Sequence, residues 1–103
     1  MSSPLGTWAV VISTPIGKQH VTLRIGERDG RLEGTATQGA ETVSLVGATL
    51  DGARLTWSQS VTRPMKLTIK FDVNIAGDRM LGTAKAGILP TSKLEGTRGP
   101  SGG

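Results

Sequence analysis

Gly6-Thr7-Trp8-Ala9-Val10-Val11-Ile12, near the start of the chain, and Leu94-Glu95-Gly96-Thr97-Arg98, near its end, decide the fold. Both are short β-prone runs, and they read as the first and last strands of a sheet that closes on itself, zipped side by side. Trp8 then points into the barrel, and Arg98 lies over or beside the indole as a plug. Working outward from this pair, the rest of the chain must supply the staves between them.

It does so in short alternating runs. No stretch keeps apolar residues at the helical period. Period-2 alternation recurs instead, broken by glycine, proline and aspartate turns, which is the pattern of an all-β meander. Eight runs are expected: Gly6 to Thr14, His20 to Arg28, Arg31 to Gln38, Glu41 to Leu50, Ala53 to Val61, Met65 to Ile75, Arg79 to Ala86 and Thr91 to Arg98. The fold predicted is a closed eight-stranded antiparallel up-and-down β-barrel over residues 1–98, with 99–103 as a disordered tail.

Turn chemistry fixes part of the register. Asp29-Gly30 suits a type I′ hairpin, whose two central residues both need positive φ. It sets Ile25 opposite Gly34, Leu23 opposite Ala36 and Val21 opposite Gln38. Gly77-Asp78, with glycine first, suits type II′ and sets Ile75 opposite Met80, Val73 opposite Gly82 and Phe71 opposite Ala84. Large side chains meet small ones in both hairpins. At Asp51-Gly52 the reading divides, because a two-residue loop places Val46 opposite Trp57 and a three-residue loop places Leu45 there. Leu32-Glu-Gly-Thr-Ala, Leu81-Gly-Thr-Ala and Leu94-Glu-Gly-Thr-Arg form a weak internal repeat. Their inward glycines at 34, 82 and 96 serve strand coiling, interior space, or both.

The meander separates two ends. The turns at 29–30, 51–52 and 77–78 fall with Trp8 and Arg98. Thr14 to Gln19, Gly39-Ala40, Ser60 to Pro64 and Gly87 to Thr91 fall at the other, and a small barrel binds at its unplugged mouth. The expected ligand-binding residues are Val10, Ile12, Val21, Leu23, Gln38, Glu41, Trp57, Gln59, Leu67, Ile69, Phe71 and Ala84, with Lys18, His20 and Arg63 also at the rim. An apolar wall with a few polar groups suits a small, mostly hydrophobic molecule with a polar or anionic end. A barrel filled by its own side chains is the competing reading.

Composition removes several classes. The chain has 103 residues and no cysteine, so it is one domain without disulfides or thiol chemistry. Its net charge is +4, yet the lysines and arginines stand singly at alternate positions, as on a solvated outer face. Trp8, Trp57 and Phe71 are too few for a base-stacking platform, so no nucleic-acid partner is expected. No apolar run is long enough for a membrane span. Met-Ser-Ser-Pro-Leu-Gly has neither the basic nor the apolar region of a secretory signal, so a cytoplasmic location is expected.

Gly6-x-Trp8 on the first strand and Arg98 on the last resemble the calycins, the barrel superfamily of lipocalins, fatty-acid-binding proteins and avidins. In lipocalins a Gly-x-Trp opens the first strand and an arginine from a late strand packs over the tryptophan. The resemblance implies a closed barrel corked at one end. It does not extend to the C-terminal helix or cysteines of lipocalins, nor to the aromatic ligand contacts of avidins. The chain is similar in size to the compact stand-alone or appended barrels found beside bacterial hydrolases, and no ligand is carried over.

Catalytic constellations are sparse. A single histidine excludes a histidine metal cluster, no cofactor is expected, and no Gly-x-Ser-x-Gly elbow is present. Asp29, Asp51 and Asp78 are accounted for by turns, and Glu27, with inward parity at the plugged end, by an ion pair with Arg98. Glu41 at the mouth is the candidate general base of a small cofactor-free lyase, isomerase or cyclase, with His20 as the second acid/base candidate. Three functions stay open: a binding barrel, that enzyme, and a ligand-free interaction module or homodimer using the outward Ala9, Val11 and Leu81.

Overall fold

A computed structural model describes residues 4–15, 17–61, 67–87 and 90–99. Arg63, Met65, Lys66 and the tail 100–103 lie outside the described residues, as does the side chain of Leu67. Nine strands follow one another: β1 Gly6–Thr14, β2 Gly17–Arg28, β3 Arg31–Gln38, β4 Glu41–Ser44, β5 Val46–Asp51, β6 Arg54–Val61, β7 Leu67–Ala76, β8 Arg79–Ala86 and β9 Ser92–Arg98. They form one antiparallel sheet in the order β4-β3-β2-β1-β9-β8-β7-β6-β5, rolled into a nearly closed up-and-down barrel. The two ends of the chain meet in the middle of that sheet. β1 pairs with β9, setting Trp8 opposite Arg98, Val10 opposite Gly96 and Ile12 opposite Leu94.

Both hairpins governed by clear turns have the expected register. Leu23 faces Ala36 and Ile25 faces Gly34 across β2–β3, and Asp29 and Gly30 both take positive φ. Phe71 faces Ala84, Val73 faces Gly82 and Ile75 faces Met80 across β7–β8.

The count of nine arises because the fourth run is two strands. β4 pairs back onto β3, whereas β5 pairs forward onto β6. Leu45 lies between them, and its N–H donates to the Gly34 carbonyl at 2.9 Å. The run therefore closes the barrel diagonally, bonded to one neighbour at the mouth and to the other at the base. Neither register expected for Trp57 is found. Asp51 pairs with Arg54 and Leu50 with Leu55, so the turn residues are Gly52 and Ala53. Gly52 takes φ 62, and a glycine-first turn places the loop one residue later than an Asp-Gly turn does. A register shift between Val46 and Thr49 then brings Val46 opposite Ser58.

Inward side chains fill the base. Trp8, Val10, Leu23, Leu55, Val73, Ile75, Met80 and Leu94 are buried against one another. A side chain that exposes almost nothing meets protein atoms on every side, so no water-sized void lies against this group. Gly34 and Gly82 belong to the same economy of space. A Cβ on Gly82 would sit 2.5 Å from the Val73 Cα and closer still to the Asp72 carbonyl, and one on Gly34 would strike the Arg24 carbonyl. These glycines let adjacent backbones approach where the sheet coils.

On the outer face Arg54 donates its Nε–H to Asp72 Oδ1 at 2.9 Å and a second N–H to Oδ2. That hydrogen bonding, and the guanidinium charge behind it, holds the Asp72 carboxyl below the usual carboxylate range. A lowered carboxylate stabilises the fold above its unfolded-state range, and the contribution is lost as pH falls through the folded value. Both side chains are largely exposed, 61% and 42%, so solvent screens the pair and its contribution is small. The stability gap between wild type and Asp72→Asn is therefore expected to be small at neutral pH and to close below about pH 4. Urea melts at a series of pH values measure it, and a gap that stayed open in acid would assign the effect elsewhere.

Candidate functional site

The base is sealed by Trp8 and Arg98. Trp8 has 0% exposure, and its Nε1–H donates to the Pro4 carbonyl at 2.8 Å. The Arg98 guanidinium carbon lies 4.5 Å from the indole centroid, a cation–π arrangement. The same guanidinium donates to Asp78 Oδ1 at 2.8 Å, to the Gly77 carbonyl at 2.8 Å and to the Leu5 carbonyl. Arg98 thus ties the segment before β1 to the β7–β8 turn, with the tryptophan beneath. The carboxylate in this latch is Asp78, not Glu27, which stays exposed. Asp78 had a sufficient reason in its turn position, so sequence reasoning missed its second role.

The expected binding residues divide into two layers. Val10, Leu23, Phe71 and Ala84 belong to the buried core, as does Trp57, with Val21 at its margin. Trp57 and Phe71 stack within this core, with ring centroids 4.8 Å apart and planes 7° from parallel. Ile12 and Ile69 are half-buried. They share the inward face because Ile12 pairs with Gln19 and Leu94, and Ile69 with Gln59 and Ala86. Leu67 begins β7 beyond them.

Glutamines supply the polar side chains of this upper layer. Gln59 is 7% exposed, and its Oε1 accepts the Trp57 Nε1–H at 2.9 Å. Two residues apart on one strand, the pair shares a face. Gln38 donates to Gln19 Oε1 across the mouth end of β2 and β3. Glu41 pairs with Gln38 at the β3–β4 turn and is exposed. His20 pairs with Val11 on the outer face and is exposed, so the two acid/base candidates sit on opposite faces of the sheet. Lys18 pairs with Ser13 and also faces outward.

Along the diagonal seam β4 and β6 lie close together, but no ladder joins them among the described residues, and Gln59 lies just above the last β5–β6 pair, Val46–Ser58. At the opposite end, a groove between β3 and β5 is lined by Leu32, Ala48 and Leu50 with Glu27 and Arg31 beside them. On the outer wall Ala9 is exposed, Val11 half-buried and Leu81 48% exposed. Glu95 lies between Val11 and Leu81 in the same cross-strand row, so the apolar side chains of β1 and β8 do not meet there. Among the described residues no three His, Asp or Glu side chains converge as metal ligands, and no helix is long and apolar enough to cross a membrane.

Comparison with protein-family models, curated proteins and solved structures gives no match.

Proposed function

We propose that this barrel binds a small, mostly hydrophobic molecule at the mouth opposite Trp8 and Arg98. The observation that carries the reading is a change of burial along β1 and β7, which bury Trp8, Val10, Phe71, Val73 and Ile75 but leave the inward Ile12 and Ile69, toward the mouth, only half-buried. Open inward apolar surface beside a few polar groups is what a small-molecule site requires. The seat is shallow: Trp57 and Phe71 form its floor, with Ala84 beside Phe71 across the β7–β8 ladder and Val10 and Leu23 in the buried core. An indole stacked under an arginine from the last strand also supports kinship with the calycins. A cysteine-free chain has no need of an oxidising compartment, and we place the barrel in the cytoplasm.

Trp57 reports directly on the site. A lipophilic ligand at the mouth is expected to change its fluorescence saturably, while Trp8, walled in at the base, is not perturbed. Titration with a broad lipophilic panel measures this. A flat response across the panel would remove the proposal.

A further inference from the structure

We infer that the outer wall beside the mouth docks this barrel on an anionic lipid surface, through Lys18, Lys70, Lys85 and Lys93. In the sequence these lysines stand singly, and the ladders bring them together. Lys70 on β7 lies directly opposite Lys85 on β8. Lys93 on β9 lies opposite Thr83, two residues before Lys85, and on its other flank opposite Ser13, which is itself opposite Lys18. Parity turns all four outward, and all are exposed. They occupy two neighbouring cross-strand rows from β7 round to β2, about 19 Å along the wall at the usual strand spacing. Like charges directly opposite each other weaken a ladder, so folding gains nothing from the pairing of Lys70 with Lys85. None of the four makes a salt bridge among the described residues.

The carboxylates gather elsewhere. All eight Asp and Glu residues are among the described ones, so the side chains outside them, Arg63 and Lys66 included, add no anion to this wall. Glu27, Asp29, Asp51 and Asp78 lie at or beside the base turns, and Glu33 is close by on β3. Glu41 is on the other side of the mouth, at the β3–β4 turn. Asp72 and Glu95 stand one outward position further from the mouth than Lys70 and Lys93, and Asp72 is already held by Arg54. A second pair of opposed cations, Arg28 and Arg31, stands at the base among Glu27, Asp29 and Glu33. Lysine ammonium groups spread over a convex wall are point charges on flexible stems, suited to a diffuse layer of headgroups rather than to bidentate clamping of one phosphate. Trp8, Trp57 and Phe71 are all buried, so the wall offers no ring on which a nucleic-acid base could stack. The choice of lipid over another polyanion rests on the binding reading above, since a barrel that takes a lipophilic molecule at its mouth meets that molecule in a bilayer. An anionic leaflet attracts each basic residue at its surface by about fivefold in binding.

The test is co-sedimentation of the full chain with vesicles of phosphatidylcholine alone and of phosphatidylcholine mixed with phosphatidylserine. Binding is expected only to the mixed vesicles at about 0.1 M salt, and to be lost at about 1 M, where charges are screened within about 3 Å. Lys70→Gln/Lys85→Gln is expected to bind about 25-fold more weakly. It should keep its fold, checked by its melting curve, because it removes an opposed like-charged pair. Arg28→Gln/Arg31→Gln, which takes the same charge from the base, is the control and is expected to bind nearly as wild type does. Equal losses in the two variants would assign the binding to net charge alone and overturn the docking face. Duplex DNA bound more tightly than the mixed vesicles at the same salt would assign the wall to a nucleic-acid backbone and overturn the lipid surface. No binding to the mixed vesicles, while Trp57 answers a lipophilic ligand, overturns the docking and leaves the binding reading in place. Vesicle binding with a flat ligand titration does the reverse.

Discussion

Trp8→Ala is expected to destabilise the barrel by about 3–5 kcal/mol, the usual cost of removing a buried aromatic side chain. The indole is fully covered, donates to the Pro4 carbonyl and lies under Arg98. Its removal therefore does three things at once. It opens a cavity at the base, leaves the Pro4 carbonyl without that donor, and takes the surface from beneath a guanidinium whose other contacts run to Leu5, Gly77 and Asp78. A domain of this size holds only about 5–15 kcal/mol in total, and each kcal/mol shifts melting by about 4–8 °C. A drop of roughly 12 °C or more should appear in a thermal melt, with a matching fall in the denaturant midpoint. A variant that melted like wild type would show that the plug contributes nothing to stability.

Gly82→Ala should be nearly as harmful, for the opposite reason. The added methyl has nowhere to go, because its nearest neighbours are the Asp72 carbonyl and the Val73 Cα, both backbone atoms of the paired strand. Overpacking a core ordinarily costs about 1–3 kcal/mol. A clash with backbone belongs at or above the top of that range, since no side chain can rotate out of the way. Gly96→Ala is the matched control. Its Cβ would meet Val10 Cγ2 at 3.1 Å and Met80 Cβ at 3.4 Å, which are side-chain atoms able to give by a few tenths of an ångström. Denaturant titration of both variants should rank Gly82→Ala well below Gly96→Ala. Equal stabilities would mean that β7 and β8 are not held so closely as the pairing of Val73 with Gly82 requires.

Local chemistry made much of the architecture legible. Asp29-Gly30 and Gly77-Asp78 each dictate a two-residue turn, and alternation carries the register outward from there, so Leu23–Ala36 and Phe71–Ala84 could be read from the chain. The meeting of β1 and β9 was legible through Trp8 and Arg98. The fourth run was not. Its division at Leu45 depends on which neighbour each half can reach once the sheet has rolled up, and nothing local to Glu41–Leu50 records that. Asp51-Gly52 leaves the loop length open in the sequence, and neither reading has glycine as the first residue of a two-residue turn, which is its place here. At the mouth, parity identified Ile12, Gln59 and Ile69 as inward. The bond from Trp57 to Gln59 has a sequence signal in the i, i+2 spacing of a donor and an acceptor on one strand, whereas the choice of Asp78 over Glu27 for Arg98 is a matter of reach.

The pairing of β1 with β9 also governs how the chain matures. Of the nine strands β1 is synthesised before the others and its partner β9 after them, so one flank of β1 stays unpaired until Ser92–Arg98 leaves the ribosome. Joining Val10 to Gly96 then brings together segments separated by every other strand of the sheet, a closure that costs more entropy than any of its hairpins. A translation product ending before Ser92 would bare the edges of β1 and β8 and leave Trp8 without its cover. Exposed edges of that kind recruit other strands, so such fragments should clump where the finished barrel stays dispersed.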